Sequence, residues 1–313
     1  GFENYDVVYS YDRNNWMRHP TNFLDGILNI KFTPSQDAVY FAYFAPYSME
    51  RHSDLIARTL SASVASLEVL GKTVDGRDLD MIKFSDGKNS KRKRNCWLIA
   101  RQHPGETMAE WWMEGALEWL SAQKTSESIS LLKLCDLFVI PNMNPDGSYR
   151  GHLRTNAAGR NLNREWENPS AESAPEVFFV KEAMAKIGVD FFLDVHGDES
   201  LPHNFIAGTE GLINWSSKKQ RQLDFFKNTL KKIDKDFQTE IGYPTKERGS
   251  ANLKMSAAQI ASRYNCLAMT LEMPFKDTLE NPNQSSGWSP SRCKTLAISS
   301  LRVLDQYVKS AII

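Results

Sequence analysis

C-W-L-I-A-R-Q-H-P-G-E-T-M-A-E-W-W, Cys96 to Trp112, is an apolar run, then a Pro-Gly turn, then the start of a helical pattern. The apolar run has the length of a buried strand, and 107–121 continues as a helix, so the stretch reads as one strand–turn–helix unit. At its mouth it sets His103 and Glu106, two metal-capable side chains where no packing calls for them. H-x-x-E alone is common by chance in a chain with six histidines. The motif by itself reads equally well as a solvated turn.

The same alternation extends through the chain from about residue 50. A helix is predicted near 49–62, strands near 66–70, 78–84, 96–101 and 134–141, and a helix at 174–187. A strand at 190–196, helices near 218–237 and 253–264, a strand at 266–273 and a helix from about 290 to 313 complete it. This pattern predicts an α/β fold: a mixed, mostly parallel twisted sheet covered by helices on both faces. Residues 1–48 differ, with short alternating runs at 6–11, 26–32 and 38–44 separated by turn residues, as in an antiparallel sheet. Three strands seldom stand alone. The chain is therefore divided into a small, partial antiparallel β unit at 1–48 and a larger unit at 49–313.

Lys+Arg 38 balance Asp+Glu 38, so no net field draws the chain to nucleic acid or to an acidic membrane surface. The basic run at 88–94, K-N-S-K-R-K-R, lacks the interleaved aromatics that stack on bases and reads as a solvated loop between strands. No apolar stretch reaches the ~20 residues needed to span a bilayer. The opening G-F-E-N-Y-D carries no export signal. Cys96, Cys135, Cys266 and Cys293 form no C-x-x-C pair and read as small buried hydrophobes, so a reducing, cytoplasmic compartment is expected. Trp111, Trp112 and Trp119 fall on one helix, as a core stripe or an interface; the oligomeric state is not legible.

In α/β sheets, sites form beyond the carboxyl ends of the strands. Four such exits carry chemistry here. One delivers His103 and Glu106. Another runs F-F-L-D-V into His196-Gly197-Asp198-Glu199, and a third ends at Glu272. The fourth opens into P-N-M-N-P-D-G and a polar loop holding Arg154, Arg160 and Arg164. Singly, these are a satisfied histidine, a capping or paired carboxylate and surface cations. Yet a carboxylate straight after C-L-A-M-T-L is costly to desolvate unless it is paired or bound, and the coincidence at one rim points to a site. Two histidines and one carboxylate, with a position left for water, form the open arrangement of a catalytic zinc. Zinc lowers the pKa of a water toward ~7 and polarises a carbonyl. A further carboxylate must then serve as general base, and Glu272 is unclaimed. Arginines can hold a carboxylate or stabilise an oxyanion.

H-P-G-E at 103–106, N-P-D-G at 144–147, G-R-N-L-N-R-E-W at 159–166, D-V-H-G at 194–197 and L-E-M-P-F at 271–275 occur in that order. Over roughly residues 50–313 they resemble the zinc carboxypeptidases of the M14 peptidase family, in the bacterial form of its cytosolic carboxypeptidase-like branch. The resemblance implies one Zn(2+) per chain on His103, Glu106 and His196, with Glu272 activating the attacking water. It implies that Arg154, ten residues after Asn144, polarises the scissile carbonyl. It also implies that Asn163 and Arg164 hold the terminal carboxylate of the substrate, the C-terminal tail of a peptide or protein. The branch includes enzymes that remove glutamate, so acidic tails are expected, with Lys254 or Arg263 as candidates for the pocket.

Y-S-Y-D-R-N-N-W-M-R-H-P-T and F-A-Y-F-A-P-Y-S resemble the closing strands of the β-sandwich that precedes the catalytic domain in this branch; its opening strands have no counterpart. There are two further departures. Asn161 stands where many relatives carry an aspartate bonded to the first zinc histidine, which predicts a less basic ligand and weaker zinc retention. The mobile tyrosine of the pancreatic-type enzymes has two candidates, Tyr243 and Tyr264. Two other readings stay open: a zinc amidohydrolase of N-acyl amino acids, and a non-catalytic zinc peptide-binding module. The N-terminal sheet and L-E-M-P-F favour the peptidase over the first. Glu272 and Arg154 argue against the second, since binding alone needs neither.

Overall fold

The structure is a computed structural model describing residues 1–87 and 93–310. Residues 1–48 hold β1 (Val7–Ser10), β2 (Met17–His19), β3 (Asn22–Leu24), β4 (Ile27–Asn29) and β5 (Tyr40–Ala42). β1 is the centre of a three-stranded antiparallel sheet of order β2-β1-β5, and β3 and β4 form a separate hairpin. The strand expected at 26–32 thus lies outside that sheet. Asp25 and Gly26 both take positive φ in its two-residue turn, the backbone that closes a tight hairpin. The buried Arg18 donates to the carbonyls of Asp6, Phe275 and Trp288. Tyr43 stacks on Phe275 at 4.2 Å, so the unit leans on the strand end that carries Glu272. Phe23, Leu24, Ile27, Ile30, Tyr40 and Phe41 remain exposed on it.

From Met49 the elements are α1 (Met49–Leu60), β6 (Ala65–Lys72), β7 (Asp78–Phe84), β8 (Arg94–Ala100), α2 (Thr107–Ala122), α3 (Ser126–Leu134), β9 (Cys135–Ile140) and α4 (Pro145–Arg150). They continue with α5 (Pro175–Ile187), β10 (Phe191–Asp198), β11 (Phe205–Ala207), α6 (Ser217–Ile233), α7 (Ser256–Tyr264), β12 (Leu267–Pro274) and α8 (Pro290–Lys309). The sheet order is β11-β12-β10-β8-β9-β7-β6. β12, β10, β8 and β9 run parallel, while β11, β7 and β6 add antiparallel edges. The mixed sheet is as expected, with its parallel part confined to the centre. The short elements α3, α4 and β11 add to the predicted pattern. Of the basic run, residues 88–92 lie outside the described residues; Lys93 meets Asp136 at 3.2 Å and Arg94 opens β8. The predicted end of α8 at 311–313 also lies outside them. Among the described residues no helix is long and apolar enough to cross a membrane.

Side chains alternate across each strand, and this decides where the site forms. Cys96, Leu98 and Ala100 of β8 join a core with α1, α2, α3, α6 and α8; Trp97 and Ile99 join the opposite core under α5 and α7. Trp111, Trp112 and Trp119 are buried in the first core, so the stripe is packing. On β10, Phe191, Leu193 and Val195 face the first core and Phe192 the second. Asp194 and His196 therefore project on the second face. β12 pairs in register, Asp194 with Thr270 and His196 with Glu272, which puts these four side chains on one face at one end of the sheet.

Candidate metal centre and substrate cleft

After β8, Arg101 reverses the chain at φ 58. Its buried guanidinium donates to the carbonyls of Pro104 at 3.0 Å and Tyr47 at 2.9 Å, and pairs with Glu110 of α2. Gly105 has no space for a side chain, because an added Cβ would lie 2.6 Å from Leu153 Cδ1 and 2.9 Å from its carbonyl oxygen. At Gly147 a Cβ would meet Pro104 at 2.4 Å and the Thr155 carbonyl at 2.6 Å. Without those two Cβ atoms, the H-P-G-E turn, the N-P-D-G turn and the Arg154 loop close on one another. α2 begins directly after Glu106, whose side chain makes no cap bond; it is turned toward the two histidines.

Glu106 Oε1 lies 2.6 Å from His103 Nδ1, and Oε2 lies 2.7 Å from His196 Nδ1 and 3.0 Å from the Gly197 backbone N–H. The ligand atoms of these three buried residues all fall within 4.8 Å of one another. The outer ring nitrogens have their own acceptors: His103 Nε2 meets Asn161 Oδ1 at 3.0 Å, and His196 Nε2 meets Asp194 Oδ2 at 2.9 Å. Histidines that ligate through one nitrogen and donate from the other are arranged in this way. Burial alone would raise the Glu106 carboxyl, but His103 and His196 hold it below the usual carboxylate range. Burial would lower His196, but Asp194 and Glu106 hold its ring well above the ordinary value. The imidazole and carboxylate donors of the centre fit zinc.

Glu272 sits opposite His196 with Oε1 3.3 Å from the Tyr243 hydroxyl. Its Oε2 is buried with no hydrogen-bond partner among the described residues, which is costly unless a water or cation stands there. Burial, with Glu106, Asp198 and Asp194 acting against the pull of His196, pushes the Glu272 carboxyl well above the usual range. The Tyr243 hydroxyl also donates to Asp198 Oδ2 at 2.7 Å. Of the two tyrosine candidates, Tyr243 reaches the centre, whereas Tyr264 packs on the second core beside Arg263.

Arg154 places Nη1 3.2 Å from His103 Nε2 and Nη2 3.5 Å from Glu199. Asn163 is buried, accepts from the Ser256 N–H at 2.9 Å, and lines the main cleft with Glu272. Arg164 diverges: it is exposed, donates to the Asn163 carbonyl at 2.6 Å, and lines an adjacent surface cleft with Arg160, Glu165 and Lys254. Neither Lys254 nor Arg263 lines the main cleft. Its cations are Lys227 of α6 and Lys246, beside Glu210, Thr209 and Thr270. Sequence reasoning missed both lysines, and it also missed Asp194, an acid within F-F-L-D-V-H that the same desolvation argument used for Glu272 should have singled out.

A mixed sheet carrying a His-Glu-His centre at the ends of its parallel strands, beside a cleft lined by a tyrosine, defines a metallocarboxypeptidase. Residues 52–286 match the family model for zinc carboxypeptidase and residues 1–44 that for the cytosolic carboxypeptidase N-terminal domain. The chain belongs to the M14 zinc carboxypeptidase family. It is 49% identical over 308 residues to an uncharacterized protein of Zymomonas mobilis, a match covering 98% of this chain and 80% of that one. It superposes with a TM-score of 0.95 and 43% identity on a metallo-carboxypeptidase from Pseudomonas aeruginosa in complex with (2-guanidinoethylmercapto)succinic acid, covering 98% of this chain and 81% of that one. Cytosolic carboxypeptidase 6 of Caenorhabditis elegans is 26% identical over 86% of this chain, which spans 62% of that relative's length.

Proposed function

We propose that the chain removes the C-terminal residue of peptides or protein tails, acidic residues above all, with Glu272 as general base. The register pair His196↔Glu272 carries this reading, because it sets a buried carboxylate with an unpartnered Oε2 beside a metal ligand on the same sheet face. Zinc, when bound, acidifies a water and polarises the scissile carbonyl. Glu272 takes the proton of the attacking water and delivers it to the leaving amine. Arg154 holds the carbonyl oxygen as negative charge grows on it; its exposed contact with Glu199 is long and yields readily. Asn163, fixed by Ser256, presents its amide to the terminal carboxylate, and Arg164 joins by rotating from the adjacent cleft. An internal peptide bond offers no carboxylate to that clamp.

Lys227 and Lys246 line the cleft with Glu210 and Glu272, and the two lysines offer partners to an acidic side chain of the terminal residue. Glu210 favours a second reading, a basic terminal residue, and the ligand named for the Pseudomonas aeruginosa relative pairs a guanidino group with succinic acid. Profiling the amino acids released from a peptide library decides: glutamate and aspartate first supports the acidic reading, lysine and arginine first the other. The peptidase reading itself predicts cleavage of a free-acid peptide, with its C-terminally amidated twin and an N-acyl amino acid left intact. Preferential hydrolysis of the acyl amino acid would make the chain an amidohydrolase, and binding without turnover a peptide-binding module. A cytoplasmic location is supported by the match of residues 1–44 and by four buried, free cysteines.

A further inference from the structure

His103 and His196 do not have equivalent support. Each faces Glu106 through Nδ1, so a cation held there takes the lone pair of Nδ1 and leaves the ring hydrogen on Nε2. His103 then donates to Asn161 Oδ1, a neutral amide oxygen that also accepts from the Asn163 backbone N–H at 3.0 Å. The Arg154 guanidinium stands 3.2 Å from that same His103 nitrogen. His196 donates instead to Asp194 Oδ2 at 2.9 Å, within a fully buried setting.

Asp194 Oδ2 is set among oriented donors. Trp166 Nε1, which can only donate, is 2.7 Å from Gln102 Oε1. This orients the Gln102 amide so that its NH2 donates to Asp194 Oδ2 at 2.6 Å, and the Ser256 hydroxyl donates to the same oxygen. Gln102, Ser256 and His196 thus converge on the one oxygen Oδ2. Asp194 and His196 are two residues apart on β10 and so share a face. The position is set by the central strand and is not free to drift.

We propose that Asp194 is a positioning residue of the zinc centre, supplying to the second histidine the negative charge that Asn161 does not supply to the first. This rests on the zinc site alone and not on the substrate assignment, and the test reads zinc without any substrate, so the two fail separately.

The test is zinc affinity by chelator competition in four proteins: parent, Asp194→Asn, Asn161→Asp and the double variant. Losing the charged partner of a ligand typically costs 10–100-fold in metal affinity. Asp194→Asn is expected to weaken binding by about that factor, and Asn161→Asp to tighten it severalfold in the parent. In the double variant, Asn161→Asp should recover most of the loss, because the charge is restored on the other histidine. If Asp194 serves only to hold Gln102 and Ser256, Asn161→Asp improves the Asp194→Asn protein by no more than the factor it gives in the parent, and that result overturns the proposal, as does parent-like affinity in Asp194→Asn. Should Asp194→Asn fail to fold, the zinc-loaded parent gives the answer through its imidazole N–H proton resonances. The His196 proton, bonded to a carboxylate, is expected farther downfield than the His103 proton, bonded to an amide. Equal or reversed positions overturn the proposal.

Discussion

The metal ligands and the groups proposed to handle the substrate sit on different kinds of support. His196 and Glu272 project from adjacent parallel strands, and His103 and Glu106 from a turn locked by Arg101, Gly105 and Gly147; all four are less than a tenth exposed. Arg154, Arg164 and Tyr243 come from loops, with the Arg154 side chain 41% exposed and Tyr243 48%. Ligands must hold their geometry before a cation arrives, whereas groups that admit, clamp and release a peptide must move. On the proposed function, rigid strand ends and adjustable loops divide these tasks. Variants on the strands should therefore abolish function outright, and variants on the loops should grade it.

The largest effect is expected from Glu272→Gln. It removes the base while keeping the volume, so kcat should fall by about 10³-fold or more with zinc content unchanged; parent-like turnover would remove Glu272 from the reaction. Arg154→Ala should cost about 10²–10³-fold in kcat, the usual loss for one oxyanion donor, with a smaller change in KM. An effect confined to KM would make it a binding group only.

The loop side has a pH signature. Glu176 is fully buried and accepts from Asn156, which in turn accepts from the backbone N–H groups of Ala158 and Arg160. Burial pushes the Glu176 carboxyl up to about 7, above its value in the unfolded chain. Between the two values the folded state binds more protons, so stability falls as pH rises from about 4.5 to 7 and then levels off. The total is on the order of 3 kcal/mol. Urea unfolding at pH 5 and pH 8 should show the parent losing more than Glu176→Gln; equal losses would discharge Glu176. The smallest change is expected for Tyr243→Phe, under about tenfold in kcat/KM, because the Tyr243 contact to Glu272 is long. A loss as large as that of Glu272→Gln would place the hydroxyl in the chemistry itself.

The same division explains what could be read from the residue string. The strand–turn–helix at Cys96 to Trp112 and the acids and histidines at strand exits stand out because apolar runs frame them, and the family motifs lie on those frames. Asp194 was equally visible as an acid inside an apolar strand. Lys227 and Lys246 were not, since they converge on the cleft from a lysine-rich helix and a distant loop with nothing local to mark them. Lys254 is near in sequence to the Glu272 strand, yet its carbonyl accepts from the Trp166 N–H at 3.1 Å and its side chain lines the neighbouring cleft. Arg164 is expected at the substrate's terminal carboxylate, yet it lines the neighbouring cleft, because its direction depends on side-chain torsions that sequence does not state. β4 shrank to three residues because the Asp25-Gly26 turn pairs it with β3 instead of the larger sheet.

Anomalous scattering measured at the zinc edge from crystals of the parent chain addresses the centre directly. One peak per chain is expected, about 2.0–2.2 Å from His103 Nδ1, His196 Nδ1 and the Glu106 carboxylate, with Glu272 facing its open side. A peak coordinated elsewhere, or zinc-soaked crystals with no peak among those three residues, would contradict the account.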